Sequence, residues 1–303
     1  MNRFLQTADE LHEATRSLAC ALRQVHNVRY AEIRFCPALH TLEGLSELEA
    51  VRAVASGFEA ARAACGLRGG ILLCALRSYP APHPLETAAL ARDHLGRGVV
   101  GFDVAGSETF ALSLPPIAEA LAACSEWSVP TTVHAGELPR GMVANCRFAL
   151  EQGVRRLGHG LALCFGEARD SGEESDLLRL AAAANVHVEV CLTSICTPSK
   201  CPGYAAHPIR RMVDAGLSVS LSCDNLTLSG DPEYGAAYPL HADSSYAHPS
   251  GELAHLVVDC GFSWREAAER VLDGVRAGFG SDAALVAEFE AEVDRVLREE
   301  GLL

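Results

Sequence analysis

The chain has 303 residues, 49% of them hydrophobic, which suits one large α/β domain. A formal net charge of −14 argues against nucleic acid or an anionic membrane surface as partner, and no run approaches the ~18 apolar residues of a membrane span. Twelve cysteines without a CxxC read as the packed thiols of a reduced, cytoplasmic protein, with Cys191, Cys196 and Cys201 the nearest grouping.

Thr7-x-x-Glu10 predicts a capping box that opens a helix, with Leu11, Ala14, Leu18, Leu22 and Val25 on one face. Seven short apolar runs follow as strands: 28–35, 70–76, 98–104, 129–134, 154–157, 186–190 and 217–222. Helical stretches are expected between them at 45–64, 85–95, 116–125, 142–152, 175–184 and 208–215, with Gly66, Gly96, Gly153 and Gly216 as left-handed stops. Residues 226–250 read as loop, and three helical stretches occupy 250–299. Alternation of strand and helix with this period means βαβ units and parallel pairing. A closed β/α barrel takes eight strands. The expectation is therefore a TIM-type (β/α)8 barrel with its first strand absent and extra C-terminal helices. A doubly wound open sheet is the alternative, although the first strand–helix turn lacks Gly-x-Gly-x-x-Gly. No linker divides the chain, so one N-terminally incomplete domain over residues 1–303 is expected.

Several strands end in residues able to do chemistry. His134 and Glu137 close Pro130-Thr-Thr-Val-His-Ala-Gly-Glu137, His159 lies between Gly158 and Gly160, and Asp224 follows Ser222-Cys223. In a parallel barrel the C-terminal strand ends share one mouth, so such residues meet there. A histidine at a strand end can offer a nitrogen to a metal, and a carboxylate among small apolar neighbours must find a partner or a cation. Each alone is as readily a core hydrogen-bonding group or a cap; three at three strand ends are less easily coincidence.

Gly101-Phe-Asp-Val-Ala-Gly-Ser-Glu108, Val133-His-Ala-Gly-Glu137, Arg156-Leu-Gly-His-Gly160 and Ser220-Leu-Ser-Cys-Asp-Asn225 resemble, in this order, the motifs of the adenosine deaminase family. Ala31-Glu-Ile-Arg-Phe-Cys-Pro37 and Glu189-Val-Cys-Leu-Thr-Ser194 are similar to two more of its strand signatures. The resemblance implies a barrel of the metal-dependent hydrolase type and zinc-dependent hydrolysis of adenosine, or a related adenine nucleoside, to inosine and ammonia. It implies His134 and Asp224 as zinc ligands and His159 as the group that takes the proton of the attacking water. It assigns Glu137 as a protonated acid toward purine N1, in an enclosed apolar site that raises its pKa. The Gly106 N–H would meet N3, and Asn225 would donate to N7. The expected partner is a small purine nucleoside.

The chain departs from the family pattern in places. No His-x-His occurs among its histidines, whereas the family carries that pair on its first strand as two further zinc ligands. Asn225 replaces the second acidic residue of an Asp-Asp pair, Leu226 a proline, and Ile195 an asparagine. The missing pair and strand together suggest an absent N-terminal segment. Two other functions stay open: a nucleoside-binding barrel that has lost its metal, and a related hydrolase acting on another amine such as an N6-substituted adenine nucleotide.

Overall fold

The computed structural model describes residues 4–78, 84–111, 113–196, 200–225 and 247–302. The first helix, α1 (Ala8–Gln24), opens on the expected capping box: the Thr7 side chain accepts from the Glu10 N–H and the Glu10 carboxylate accepts from the Thr7 N–H. Its buried seam is Leu11, Thr15 and Ala19, one step round from the face read from the sequence, and Val25 is 73% exposed. Close packing explains the difference. α2 (Glu47–Cys65) approaches α1 so nearly that a Cβ on Gly57 would stand 2.3 Å from the His12 carbonyl oxygen, and only small residues fit such a seam.

All seven strands form: β1 (Tyr30–Phe35), β2 (Arg68–Leu76), β3 (Val99–Ala105), β4 (Thr131–Ala135), β5 (Arg156–His159), β6 (His187–Val190) and β7 (Ser218–Leu221). They order as in the chain, and the described ladders are parallel. Ile71, Leu72, Leu73, Phe102 and Val188 are fully buried, as strands covered on both faces require. The fold is the α/β alternation expected. The fifth strand runs two residues further than predicted and takes His159 into its last position, because Arg156 to Gly158 pair with His187 to Glu189.

The intervening helices are α3 (Pro84–His94), α4 (Pro115–Glu126), α5 (Val143–Glu151), α6 (Glu167–Ser171), α7 (Glu174–Ala183), α8 (Leu192–Ile195) and α9 (Ile209–Asp214). After residue 246 come α10 (Pro249–Val258), α11 (Trp264–Ala277) and α12 (Ala283–Glu299). Of the predicted loop over residues 226–250, positions 226–246 lie outside the described residues, and its end is already helical from Pro249, which His248 caps.

The chain divides into two compact units, one of Met1–His134 with Gly278–Gly280, the other of Ala135–Ala277 with Ser281–Leu303. The boundary falls inside β4, between His134 and Ala135, so no linker composition could mark it. In the first unit Glu32 on β1 accepts from the Phe279 N–H at 2.5 Å and the Gly280 N–H at 3.2 Å, and the Tyr30 hydroxyl accepts from Gly280 at 2.8 Å. In the second unit α11 lies against β7, with Asp273 accepting from the Val219 N–H at 3.4 Å.

Candidate active site

In the first unit His134 ends its strand against Asp103 of β3. The two meet at 3.2 Å through the histidine Nδ1, and the other Asp103 oxygen accepts from Arg34 Nη1 at 3.1 Å. Asp103 is fully buried, and an ionised carboxylate only accepts. It therefore selects the tautomer with hydrogen on Nδ1 and leaves a lone pair on Nε2, the arrangement of a metal-ligating histidine with its outer carboxylate. Arg77, fully buried beside Glu108 at 3.5 Å, donates to the carbonyls of Phe110, at 3.3 Å, and of His134 itself. Side chain and backbone of His134 are thus both held. Gly106 adopts φ +91° with a would-be Cβ 3.3 Å from the Arg77 nitrogen, so the backbone itself calls for glycine there.

In the second unit Glu137 follows a glycine that nothing could replace: Gly136 has φ +77°, and a Cβ would lie 2.7 Å from Cys146 Sγ. Glu137 differs from the enclosed acid of the sequence reading. Its side chain is 26% exposed and takes the Lys200 ammonium at 2.6 Å. An ammonium at this range favours the ionised carboxylate, the form unable to donate a proton. Lys200 also donates to the Ser194 carbonyl at 3.2 Å, and the Ser194 hydroxyl donates to Asp224 Oδ2 at 2.7 Å. Asn225 Nδ2 donates to Asp224 Oδ1 at 3.0 Å. Glu137 and Asp224 thus belong to one polar chain. Glu252 of α10 supports it, accepting from the Leu192 and Thr193 N–H groups at 2.7 and 3.1 Å. Burial pushes the Glu252 carboxyl up to about 7, against the lowering pull of those hydrogen bonds.

His159 is 2% exposed, with φ +67°, and Asp224 has φ +55°. Left-handed backbone is uncommon for residues with a Cβ, and strain of this kind clusters at functional sites. Beside His159 lies His207, whose Nδ1 accepts from the Ile209 N–H at 3.2 Å. Burial pushes His207 down to about 3, with His159 adding to the effect, so His207 is a neutral neighbour. Arg34, Asp103, Arg77, Lys200, Ser194, His207 and Glu252 carry no role in the sequence reading. Asp103, Arg34 and Ser194 lie within the quoted motifs, which was their only signal; the others are joined to the site by contacts across 30 residues or more.

The donor set falls short of a zinc site. His134 and Asp224 are two suitable ligands, yet among the described residues no three His, Cys, Asp or Glu side chains cluster as a metal requires.

A parallel sheet with a helix after each strand, and ionisable side chains at the strand ends, defines an α/β protein of the β/α-barrel type. The adenosine deaminase family model matches residues 2–246, and the chain belongs to that family. It is 34% identical to an adenosine deaminase of Enterococcus faecalis over 227 residues, which are 74% of this chain and 63% of that relative. The chain therefore spans less than two thirds of that relative's length. Its fold is shared with the N6-methyl-AMP deaminase of Arabidopsis thaliana, with a TM-score of 0.77 and 20% identity over 98% of this chain and 81% of the other. It is shared also with an amidohydrolase of Burkholderia ambifaria solved with bound Zn, with a TM-score of 0.79 and 18% identity over 97% and 76% of the two chains.

Proposed function

We propose that this chain carries the residues of a hydrolytic deaminase acting on adenosine or a related adenine nucleoside. The observation that carries the reading is the Asp103–His134 pair at the end of β4, a histidine oriented by a buried carboxylate at the position the family motif assigns to a metal ligand. A zinc ion supplies an acidified water when bound. His134 and Asp224 are the ligands proposed here, and zinc binding needs donors beyond these two. His159 takes the proton of the attacking water, and the neutral His207 beside it adds no charge to oppose the resulting imidazolium. Glu137 gives a proton to purine N1 once the base has displaced the Lys200 ammonium and enclosed the carboxyl. The Gly106 N–H meets N3, and Asn225 turns its amide from Asp224 to N7. A cytoplasmic location belongs to the same proposal, since all twelve cysteines are free thiols.

The Lys200–Glu137 ion pair favours a second reading, nucleoside binding without turnover, because it holds the carboxylate in its non-donating form. An N6-substituted adenine nucleotide is the third candidate, supported by the fold shared with the N6-methyl-AMP deaminase. Once a His-x-His segment added at its N-terminus supplies the further donors, the chain should hold one zinc ion per molecule and convert adenosine to inosine, followed by ultraviolet absorbance. Glu137→Gln should keep the ion and lose about 10²–10⁴-fold in turnover. Adenosine binding without conversion would establish the second reading, and turnover of N6-methyl-AMP alone the third.

A further inference from the structure

The Lys200 ammonium has three N–H donors, and the structure uses two of them. One meets Glu137 Oε1 at 2.6 Å and another meets the Ser194 carbonyl at 3.2 Å. Among the described residues no third acceptor faces this ammonium, and its side chain keeps 20% exposure beside the 26% of Glu137. The anchor is firm. Ser194 lies on α8, whose Leu192 and Thr193 amides donate to the buried Glu252 carboxylate at 2.7 and 3.1 Å, and its hydroxyl donates to Asp224 at 2.7 Å. Glu137 and Lys200 therefore stand side by side as an acceptor and a donor that solvent can reach.

An ionised carboxylate only accepts hydrogen bonds, and an ammonium only donates them. Purines offer two opposite patterns at the adjoining N1 and C6 positions. Adenine has a lone pair on N1 and a donating amino group on C6. A 6-oxopurine such as hypoxanthine or guanine has an N–H at N1 and an accepting oxygen on C6. With Glu137 facing N1, adenine sets acceptor against acceptor and donor against donor. The 6-oxopurine matches both.

We propose that the Lys200–Glu137 pair is a binding site for 6-oxopurine nucleosides, in which the carboxylate accepts from the purine N1–H and the ammonium donates its third N–H to O6. The inference rests on the deaminase reading for the placement of Glu137 at N1. It goes beyond that reading by giving Lys200 a ligand and by ranking the ligands. Deamination turns the mismatched base into the matched one, so the product class competes with substrate for this site and favours the resting arrangement. Both new contacts are charge-assisted, the stronger kind of hydrogen bond, and opposed groups lose their hydration without return.

The test is calorimetric titration of the full chain, without added zinc, by inosine, 1-methylinosine and adenosine. Inosine should bind on the order of tenfold more tightly than adenosine, because two matched contacts replace two opposed ones. 1-Methylinosine keeps O6 but carries a methyl where inosine has its donor, and should fall to the level of adenosine or below. These comparisons use the unaltered chain, so none depends on a variant folding. Lys200→Met keeps the aliphatic stem without the ammonium and should cancel the advantage of inosine, lowering its affinity while adenosine gains. Adenosine binding as tightly as inosine would mean that the base shifts to give N1 to Lys200 and its amino group to Glu137. That result, equal binding of inosine and 1-methylinosine, or unchanged inosine affinity in Lys200→Met would each overturn the proposal and leave the deaminase reading in place. Failure of all three nucleosides to bind would instead sink that reading, and the proposal with it.

Discussion

The two units hold their chemistry-bearing residues by different means. In the first, His134 is fixed by buried charges: Asp103 and Arg34 on its ring side, Arg77 and Glu108 on its carbonyl side. In the second, His159 and Asp224 are held by left-handed backbone, and the ion pair at Glu137 is partly open to water. Charge pairing without water is stiff and costly to disturb, whereas strained backbone sets a side chain's direction through the main chain. The first unit therefore keeps a ring in one tautomer, and the second leaves its ion pair within reach of water.

Removing one buried charge is the severest way to break that contrast. Arg77→Met should cost about 3–5 kcal/mol by leaving Glu108 buried without its cation, read as a lower urea midpoint. It should also move the His134 imidazole resonances, because the His134 carbonyl loses its donor. Arg156→Met breaks the comparably buried pair with Glu189 in the second unit and should cost as much while leaving those resonances in place.

Acid should act chiefly on the second unit. His187 is buried between the Ser218 and Ser220 hydroxyls, each at 2.8 Å, and burial pushes it down to about 4 from its ordinary 6.5. The unfolded chain then binds a proton that the folded one refuses. The stability from this group is full above pH 6.5 and is lost as the pH falls through about 4, a change on the order of 3 kcal/mol. Urea unfolding at several pH values should show that slope, and His187→Gln should flatten it, with His207 keeping a part.

Glycine-to-alanine changes sharpen the comparison at smaller scale. Gly57→Ala drives a Cβ to 2.3 Å from a backbone oxygen of α1, which cannot step aside, and should cost about 1–3 kcal/mol in a thermal melt. Gly274→Ala on α11 meets the Ser220 side chain, Cβ at 3.0 Å and Oγ at 3.6 Å. The gain of about 1 kcal/mol from better helix propensity should nearly cancel that contact.

The elements were legible wherever a local rule sets them. Thr7 and Glu10 form the capping box their spacing predicts, and Gly66 and Gly153 take the left-handed stops expected of them. The strands follow from apolar runs, since parallel strands are buried on both faces. Short elements escaped for the opposite reason: α6 and α8, at five and four residues, hold too little periodicity to register. At the site, the motifs pointed to His134, Glu137, His159 and Asp224. The left-handed backbone of His159 and Asp224 has no signature in residue type, because glycine or asparagine is the usual occupant. Lys200 on Glu137 is a meeting across 63 residues that no spacing rule contains. Glu252, in an otherwise apolar stretch of α10, would be taken for a solvent-facing charge until its two backbone donors are seen.

The clasp on Glu32 sets an order of events during synthesis. The strand that opens the first unit receives the amides of Phe279 and Gly280, which the ribosome makes 247 and 248 residues later. Until those residues emerge, Glu32 lacks these two amide donors, though the Tyr30 hydroxyl can already donate to it, and the nascent first unit waits with this polar seam unsewn. Contacts of such long sequence separation are slow to form, so this one closes late and leaves the growing chain exposed to chaperones and proteases until it does.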